Sequence, residues 1–193
     1  MEYTKIDLSH WDRGELFLFY MEHMRVVMSL TVDLDVSRFL RFTRRSGWNF
    51  YAAMVWAVSK VVNAHDEFKY SWDGSGELIR WDIISPSYAR FHNEDGRFTK
   101  LVTPFSDDLA AFHAQFLADK EEYRDCRGIL PGQPPNFFDV SCLPWVRYRH
   151  CDLHVFDGGR FLAPVITWGK YVEEQGKWTM PLTMNLHHAV ADG

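Results

Sequence analysis

Residues 50–62, Phe-Tyr-Ala-Ala-Met-Val-Trp-Ala-Val-Ser-Lys-Val-Val, are apolar all round a helical wheel and carry one charge, Lys60. A helix with no polar face is stable only when other elements cover it on every side. The chain must therefore wrap layers around this segment, and 193 residues suffice to do so in one domain. Residues 12–24 place Leu16, Phe17, Phe19, Tyr20 and Met24 at helical spacing. Residues 26–32 are β-rich. Asp35-Val36-Ser37 opens a helix with Phe39, Leu40 and Phe42 that Gly47 stops, and residues 109–123 form another clear helix. Strand patterns follow at 68–72, 77–81, 87–92, 138–142, 152–156, 163–168 and 178–186. Asp73-Gly74-Ser75-Gly76, Gly158-Gly159 and Gln175-Gly176 supply turns, and 128–135 is a Gly/Pro loop. Helices come early and strands dominate late. The expected class is α+β, a largely antiparallel or mixed sheet packed on one side by helices.

No internal repeat, low-complexity tract or linker interrupts the chain, so one domain over 1–193 is expected. Eight Trp and fifteen Phe imply a thick core with aromatic-lined surfaces. A formal charge of −5 and the lack of a long basic run argue against a general nucleic-acid binder. The polar start Met1-Glu2-Tyr3-Thr4-Lys5-Ile6-Asp7 is unlike a signal peptide, and no run approaches the ~20 apolar residues that span a membrane. Cys126, Cys142 and Cys151 are odd in number and carry no CxxC spacing, which fits reduced thiols in a cytoplasmic protein.

The chain ends in Met184-Asn185-Leu186-His187-His188-Ala189-Val190-Ala191-Asp192-Gly193. Two arrangements are open. His188 and Asp192, four apart, form a dyad or two metal ligands, or His188 acts alone while Asp192-Gly193 shapes the turn that holds it. A metal needs a third ligand that nothing nearby supplies, and no HExxH or CxxC exists; His150 and His154 lie in strand-like sequence, where four-residue spacing makes no compact pair. No metal is assigned. Cys142 follows Ser141 without any sign of a nucleophilic thiol.

His187-His188-Ala189-Val190-x-Asp192-Gly193 resembles the active-site signature of the chloramphenicol acetyltransferase family. Its HxxxDG core is shared with the acyltransferase core of 2-oxoacid dehydrogenase complexes and with peptide-synthetase condensation domains. Other segments narrow the resemblance: Tyr3-Thr4-Lys5-x-Asp7, Trp11-Asp12-Arg13, Asn63-Ala64-His65-Asp66-Glu67-Phe68 and Gly76-Glu77-Leu78-Ile79-Arg80-Trp81-Asp82. Val140-Ser141-Cys142-Leu143-Pro144-Trp145-Val146, Phe161-Leu162-Ala163-Pro164-Val165-Ile166-Thr167 and Gly169-Lys170-Tyr171 complete it across the whole chain.

The resemblance implies a two-layer sandwich of mixed sheet with helices on one face, the CoA-dependent acyltransferase fold. It implies a homotrimer with sites at subunit interfaces, and acetyl transfer from acetyl-CoA to a hydroxyl of chloramphenicol, giving antibiotic resistance. His188 is then the general base, suited by an imidazole that titrates near neutrality, and Ser141 the donor to the tetrahedral oxyanion. Asp192 pairs with Arg13 to shape the loop, and Thr167 helps order a water. Tyr20, Phe98, Leu153, Val155 and Val165 line the acceptor pocket; Lys170 and Tyr171 lie beside the CoA nucleotide end. No nucleic-acid, membrane or metal partner is implied. Taken singly, most of these residues would be read as core or surface.

The family continues past this motif into a C-terminal helix, so the domain is expected to lack that helix. Leu130 stands where an aromatic is common, Met28 at another bulky pocket position, and Asn185 where glutamine is commoner. These differences leave open another small alcohol or amine as acceptor, or a trimeric binding protein without turnover. A lipoamide acyltransferase core is disfavoured: there is no lipoyl module or linker, and the Ser-x-x-Pro-Trp and Trp-x-Arg contexts fit elsewhere.

Overall fold

A computed structural model describes residues 2–192 apart from 154, 156 and 158. The chain opens with a short strand β1 (Tyr3–Lys5), helix α1 (Gly14–Glu22), long strand β2 (Val27–Asp35) and helix α2 (Ser37–Ser46). Gly14 starts α1 because the carbonyl oxygen of Leu8 lies 2.0 Å from where a Cβ would stand. As expected, α2 ends at Gly47, whose φ of 69° is left-handed. The apolar segment forms α3 (Phe50–Asn63), capped by Asn49, whose Oδ1 accepts the Ala52 N–H at 3.0 Å.

Next come β3 (Tyr70–Trp72), β4 (Leu78–Trp81), β5 (Ser85–His92), β6 (Arg97–Val102) and α4 (Leu109–Glu122). The chain continues through β7 (Gly128–Ile129), β8 (Phe137–Leu143), β9 (Val165–Gly169), β10 (Val172–Glu174) and β11 (Lys177–His187). One sheet of eight strands runs β10-β11-β9-β8-β5-β6-β7, with β2 on the other flank of β11. The β5–β8, β8–β9 and β6–β7 pairs are parallel and the rest antiparallel, so the sheet is mixed. A second sheet, β1-β4-β3, was not foreseen as a separate unit.

Alternation gives the large sheet two unlike faces. Val140, Ile166, Trp168, Met180 and Leu182 join the main core with α2, α3 and α4 residues Leu40, Ala52, Val55, Phe112 and Phe116. The ring of Tyr88 stacks on Phe116 at 4.6 Å. The helical layer thus lies on one face, as the pattern implied. Along the opposite face run Ser141, Thr167, Thr183 and Thr31, one residue from each of four adjacent strands in a single register row. The functional candidates sit on that face and at its ends.

One strand expectation fails. Within the stretch read as a strand at 152–156, residues 152, 153 and 155 carry no regular structure, and the other two lie outside the described residues. The Leu153/Val155 alternation reflects a wall of a recess instead of a paired strand. Conversely, the 128–135 loop contributes two residues, β7, to the edge of the large sheet.

Candidate active site

β11 delivers His187 and His188 to a tight turn. His188 donates its N–H to the Val26 carbonyl at 2.9 Å, and the N–H groups of Val190 and Ala191 reach back to the His187 carbonyl at 3.1 and 3.2 Å. The small residues that follow are core: Ala189, Val190 and Ala191 are buried. Ala189 and Val190 pack with Phe17 of α1, Tyr70 and Leu78 of the second sheet, and Leu162. The turn is therefore clamped by a second apolar cluster, which explains why nothing bulky follows the histidines.

His188 Nδ1–H donates to the Ala191 carbonyl at 3.0 Å. A carbonyl can only accept, so this bond selects the tautomer in which Nε2 carries a free lone pair. The Tyr20 ring lies 4.2 Å from the imidazole at 38° and walls one side. Asp192 Oδ1 is 3.5 Å from Nδ1, beyond a good hydrogen bond, and both its oxygens belong to Arg13 at 2.6 and 2.7 Å. The same guanidinium donates from Nε to the Ala189 carbonyl and from Nη2 to the His188 carbonyl, each at 2.7 Å. Hydrogen bonding to Arg13 holds the Asp192 carboxyl below the usual carboxylate range and in turn raises the guanidinium. Of the two arrangements left open by the spacing, this is the second: His188 answers to the backbone and Asp192 to Arg13.

His187 points to the other side of the turn. Its Nδ1 accepts the Ala189 N–H at 3.1 Å. Burial lowers its basicity, against a smaller pull upward from the Gly159 carbonyl. Burial also lowers His113, whose Nε2 accepts the N–H of the α3 cap residue Asn49 at 3.0 Å. For both, the folded value lies below the unfolded one near 6.5, so the unfolded chain binds protons first. Their stabilising contribution is complete above pH ~6.5 and is lost as pH falls through the folded values. The urea midpoint is expected to drop between pH 7.5 and 5.5, and to drop less in His113→Asn, whose amide oxygen can still accept from Asn49. Equal midpoints at the two pH values would refute the assignment.

The remaining candidates fall into two places. Ser141, Phe98, Lys170 and Tyr171 line a cleft of about 770 Å³ with Trp145 and Trp168 in its walls. Leu153, Val155 and Val165 border a recess of about 30 Å³ beside Asn185 and His187. His188 lines neither the cleft nor the recess. Thr167 sits between, fully buried, paired in register with Ser141 and Thr183, and its Oγ1 has no partner among the described residues. Cys142, next to Ser141, is pushed up to about 12 by burial and stays a thiol at neutral pH. His154, four residues from His150, lies outside the described residues. Among those residues no group of three or more His, Cys, Asp or Glu gathers as a metal site would require, and no helix is long and apolar enough to cross a membrane. Sequence reasoning did not single out His187 as a buried neutral imidazole; its only signal was strand alternation, which puts 185 and 187 on one face.

The family model of chloramphenicol acetyltransferase matches residues 1–193. A chloramphenicol acetyltransferase of Streptomyces acrimycini is 36% identical over 190 residues, covering 97% of this chain and 86% of the relative. That of Clostridium perfringens is 31% identical over 195 residues, covering all of this chain and 89% of the relative. The Escherichia coli protein named chloramphenicol acetyltransferase 3 is 34% identical over 195 residues, with 100% and 91% covered. Among solved structures, a chloramphenicol acetyltransferase superposes with a TM-score of 0.85 at 20% identity, covering 100% of this chain and 93% of that one. A dihydrolipoamide acetyltransferase of Azotobacter vinelandii reaches 0.67 at 16% identity, covering 93% and 80%. The mixed sheet with its one-sided helical layer is the CoA-dependent acyltransferase fold, and the family model and named relatives make the class an acyltransferase. More narrowly, the whole-chain match leaves no ambiguity of family. The chain belongs to the chloramphenicol acetyltransferase family.

Proposed function

We propose that this protein transfers the acetyl group of acetyl-CoA to a hydroxyl of chloramphenicol in the cytoplasm and so confers resistance to it. The observation that carries the reading is the imidazole of His188, held by the Ala191 carbonyl with Nε2 free to accept a proton. Nε2 takes the proton of the acceptor hydroxyl as that oxygen attacks the thioester carbonyl. Ser141 donates a hydrogen bond to the oxyanion that forms. Collapse of the tetrahedral intermediate breaks the C–S bond, and the departing thiolate recovers the proton from His188. The products are the acetyl ester and free CoA thiol, with no acyl-enzyme on the path. Meeting of the two substrates at one base supplies much of the acceleration.

Thr167 contributes its unpartnered Oγ1 to hold a water near the reacting centre. Lys170 and Tyr171 receive the nucleotide end of CoA along the cleft, while Tyr20, Phe98, Leu153, Val155 and Val165 receive the acceptor. The separation of His188 from the cleft that holds Ser141 favours a homotrimer in which one subunit offers its histidine to the cleft of the next. Residues 1–193 lie within a single acyltransferase domain.

The test is release of CoA thiol from acetyl-CoA by purified trimeric protein with and without chloramphenicol. Release that depends on chloramphenicol, matched by formation of its acetyl ester, is the expected result. A trimer that releases no thiol overturns chloramphenicol as the acceptor.

A further inference from the structure

Asn185 is 3% exposed, yet among the described residues neither its Oδ1 nor its Nδ2 has a hydrogen-bond partner. Buried Asn136 keeps one bond, from Nδ2 to the Ile83 carbonyl, and leaves only Oδ1 open, while two others are wired in. Asn63 donates to the Ser59 and Ile84 carbonyls and accepts the Ile84 N–H, and Asn49 caps α3. The hydroxyls of Thr31 and Thr183, on the same sheet face as Asn185, satisfy each other at 2.7 Å. A carboxamide with donor and acceptor both unmet in a dry setting is costly to keep, and such groups point to something absent that pairs with them. Asn185 borders a recess that it shares with His187, whose Nε2 is also buried without a partner among the described residues, and whose other walls include Val27, Leu153, Val155, Phe161 and Val165. It pairs in register with Val165 of β9 and Ser29 of β2, and stands three residues before His188. A mostly apolar recess of about 30 Å³ with two open polar groups has room for one small polar end of a ligand, its bulk lying outside.

We propose that Asn185 is the specificity-determining polar group of the acceptor pocket, hydrogen-bonding a hydroxyl or amide of the acceptor other than the hydroxyl that is acetylated. This rests on the reading that the recess takes the acceptor. The carboxamide offers one acceptor atom and two N–H donors, so it suits a hydroxyl or a secondary amide and gains little from a nitro group or chlorine. Chloramphenicol presents a second hydroxyl and an amide near the hydroxyl that reacts. An acceptor without such a group leaves Asn185 desolvated and unpaired, and is rejected for that reason.

The experiment compares wild type with Asn185→Leu, measuring chloramphenicol binding by calorimetry, both KM values and the melting temperature. Acceptor KM and Kd are expected to rise about tenfold, as for loss of one or two hydrogen bonds. KM for acetyl-CoA should stay within about twofold, and Tm should hold or rise as an apolar group replaces an unmet amide. A merely structural asparagine would lower Tm and leave KM alone. Should the leucine variant not fold, Asn185→Val gives the same comparison with less bulk. Wild-type binding and turnover that these variants leave unaltered overturn the role of Asn185, a permanent water being then its partner. Wild type that neither binds nor acetylates chloramphenicol overturns the acceptor assignment itself.

Discussion

His188→Ala is expected to cut kcat by about 10²- to 10⁴-fold, the range of a positioned general base, with both KM values changed little. The side chain is 23% exposed, and its one hydrogen bond among the described residues runs to a backbone carbonyl at the rim of the turn. Truncation therefore removes the Nε2 lone pair without opening the core. The melting temperature and the proposed trimer should survive, because Ala189, Val190 and Phe17 still fill the cluster beneath. Steady-state kinetics of thiol release beside light scattering checks both halves. A variant that falls apart into monomers or melts far below wild type would make the histidine a structural residue.

Arg13→Ala should cost more stability than any other single change at the site. The guanidinium is 17% exposed and ties together three consecutive features of the turn: the His188 carbonyl, the Ala189 carbonyl and the Asp192 carboxylate. The carboxylate is 61% exposed, so that ion pair contributes under about 1 kcal/mol. The two carbonyls, which lie against the buried cluster, lose their partner outright, at about 1–3 kcal/mol each. A fall of roughly 2–7 kcal/mol in unfolding free energy follows, with a matching loss of kcat as the imidazole loses its fixed bearing. Asp192→Asn keeps the carbonyl bonds and should lose only the smaller share. Urea titration of the two variants side by side tests the order. Equal losses would mean that the salt bridge, and not the carbonyl bonds, holds the turn.

Much of this was legible beforehand because the governing forces are local or patterned. The apolar wheel at 50–62 became α3 with one residue added, and Gly47 ended α2 where a left-handed residue was needed. The short strands β1, β6 and β10 were missed for a physical reason. Tyr3–Lys5 and Val172–Glu174 are too brief to show alternation, and Arg97–Val102 mixes charges into it. Only β1 depends on a partner distant in sequence, β4; β6 and β10 close hairpins with β5 and β11. The reverse error at 152–156 shows that alternation signals an apolar face and does not by itself promise a neighbouring strand. At the site, Arg13 opposite Asp192 followed from family resemblance and has its geometry in the hydrogen bonds described above. Two things lay beyond any reading of one strand at a time. The division of the candidates among turn, cleft and recess depends on tertiary placement, and the open valences of Asn185 emerge only when every neighbour is in position.

The bond from Arg13 to Asp192 spans 179 positions. Chains emerge from the ribosome N-terminal end first, so the guanidinium is made long before the segment it must orient. Through most of synthesis α1 has no turn to brace, and Phe17, buried against Ala189 and Val190 in the finished fold, has to wait for them. Contacts this far apart form slowly against the entropy of closing so large a loop. A nascent or truncated chain lacking the turn therefore has no oriented imidazole at all. Competence for chemistry arrives in one late step, and its appearance during refolding would serve as a clock for closure of the whole chain.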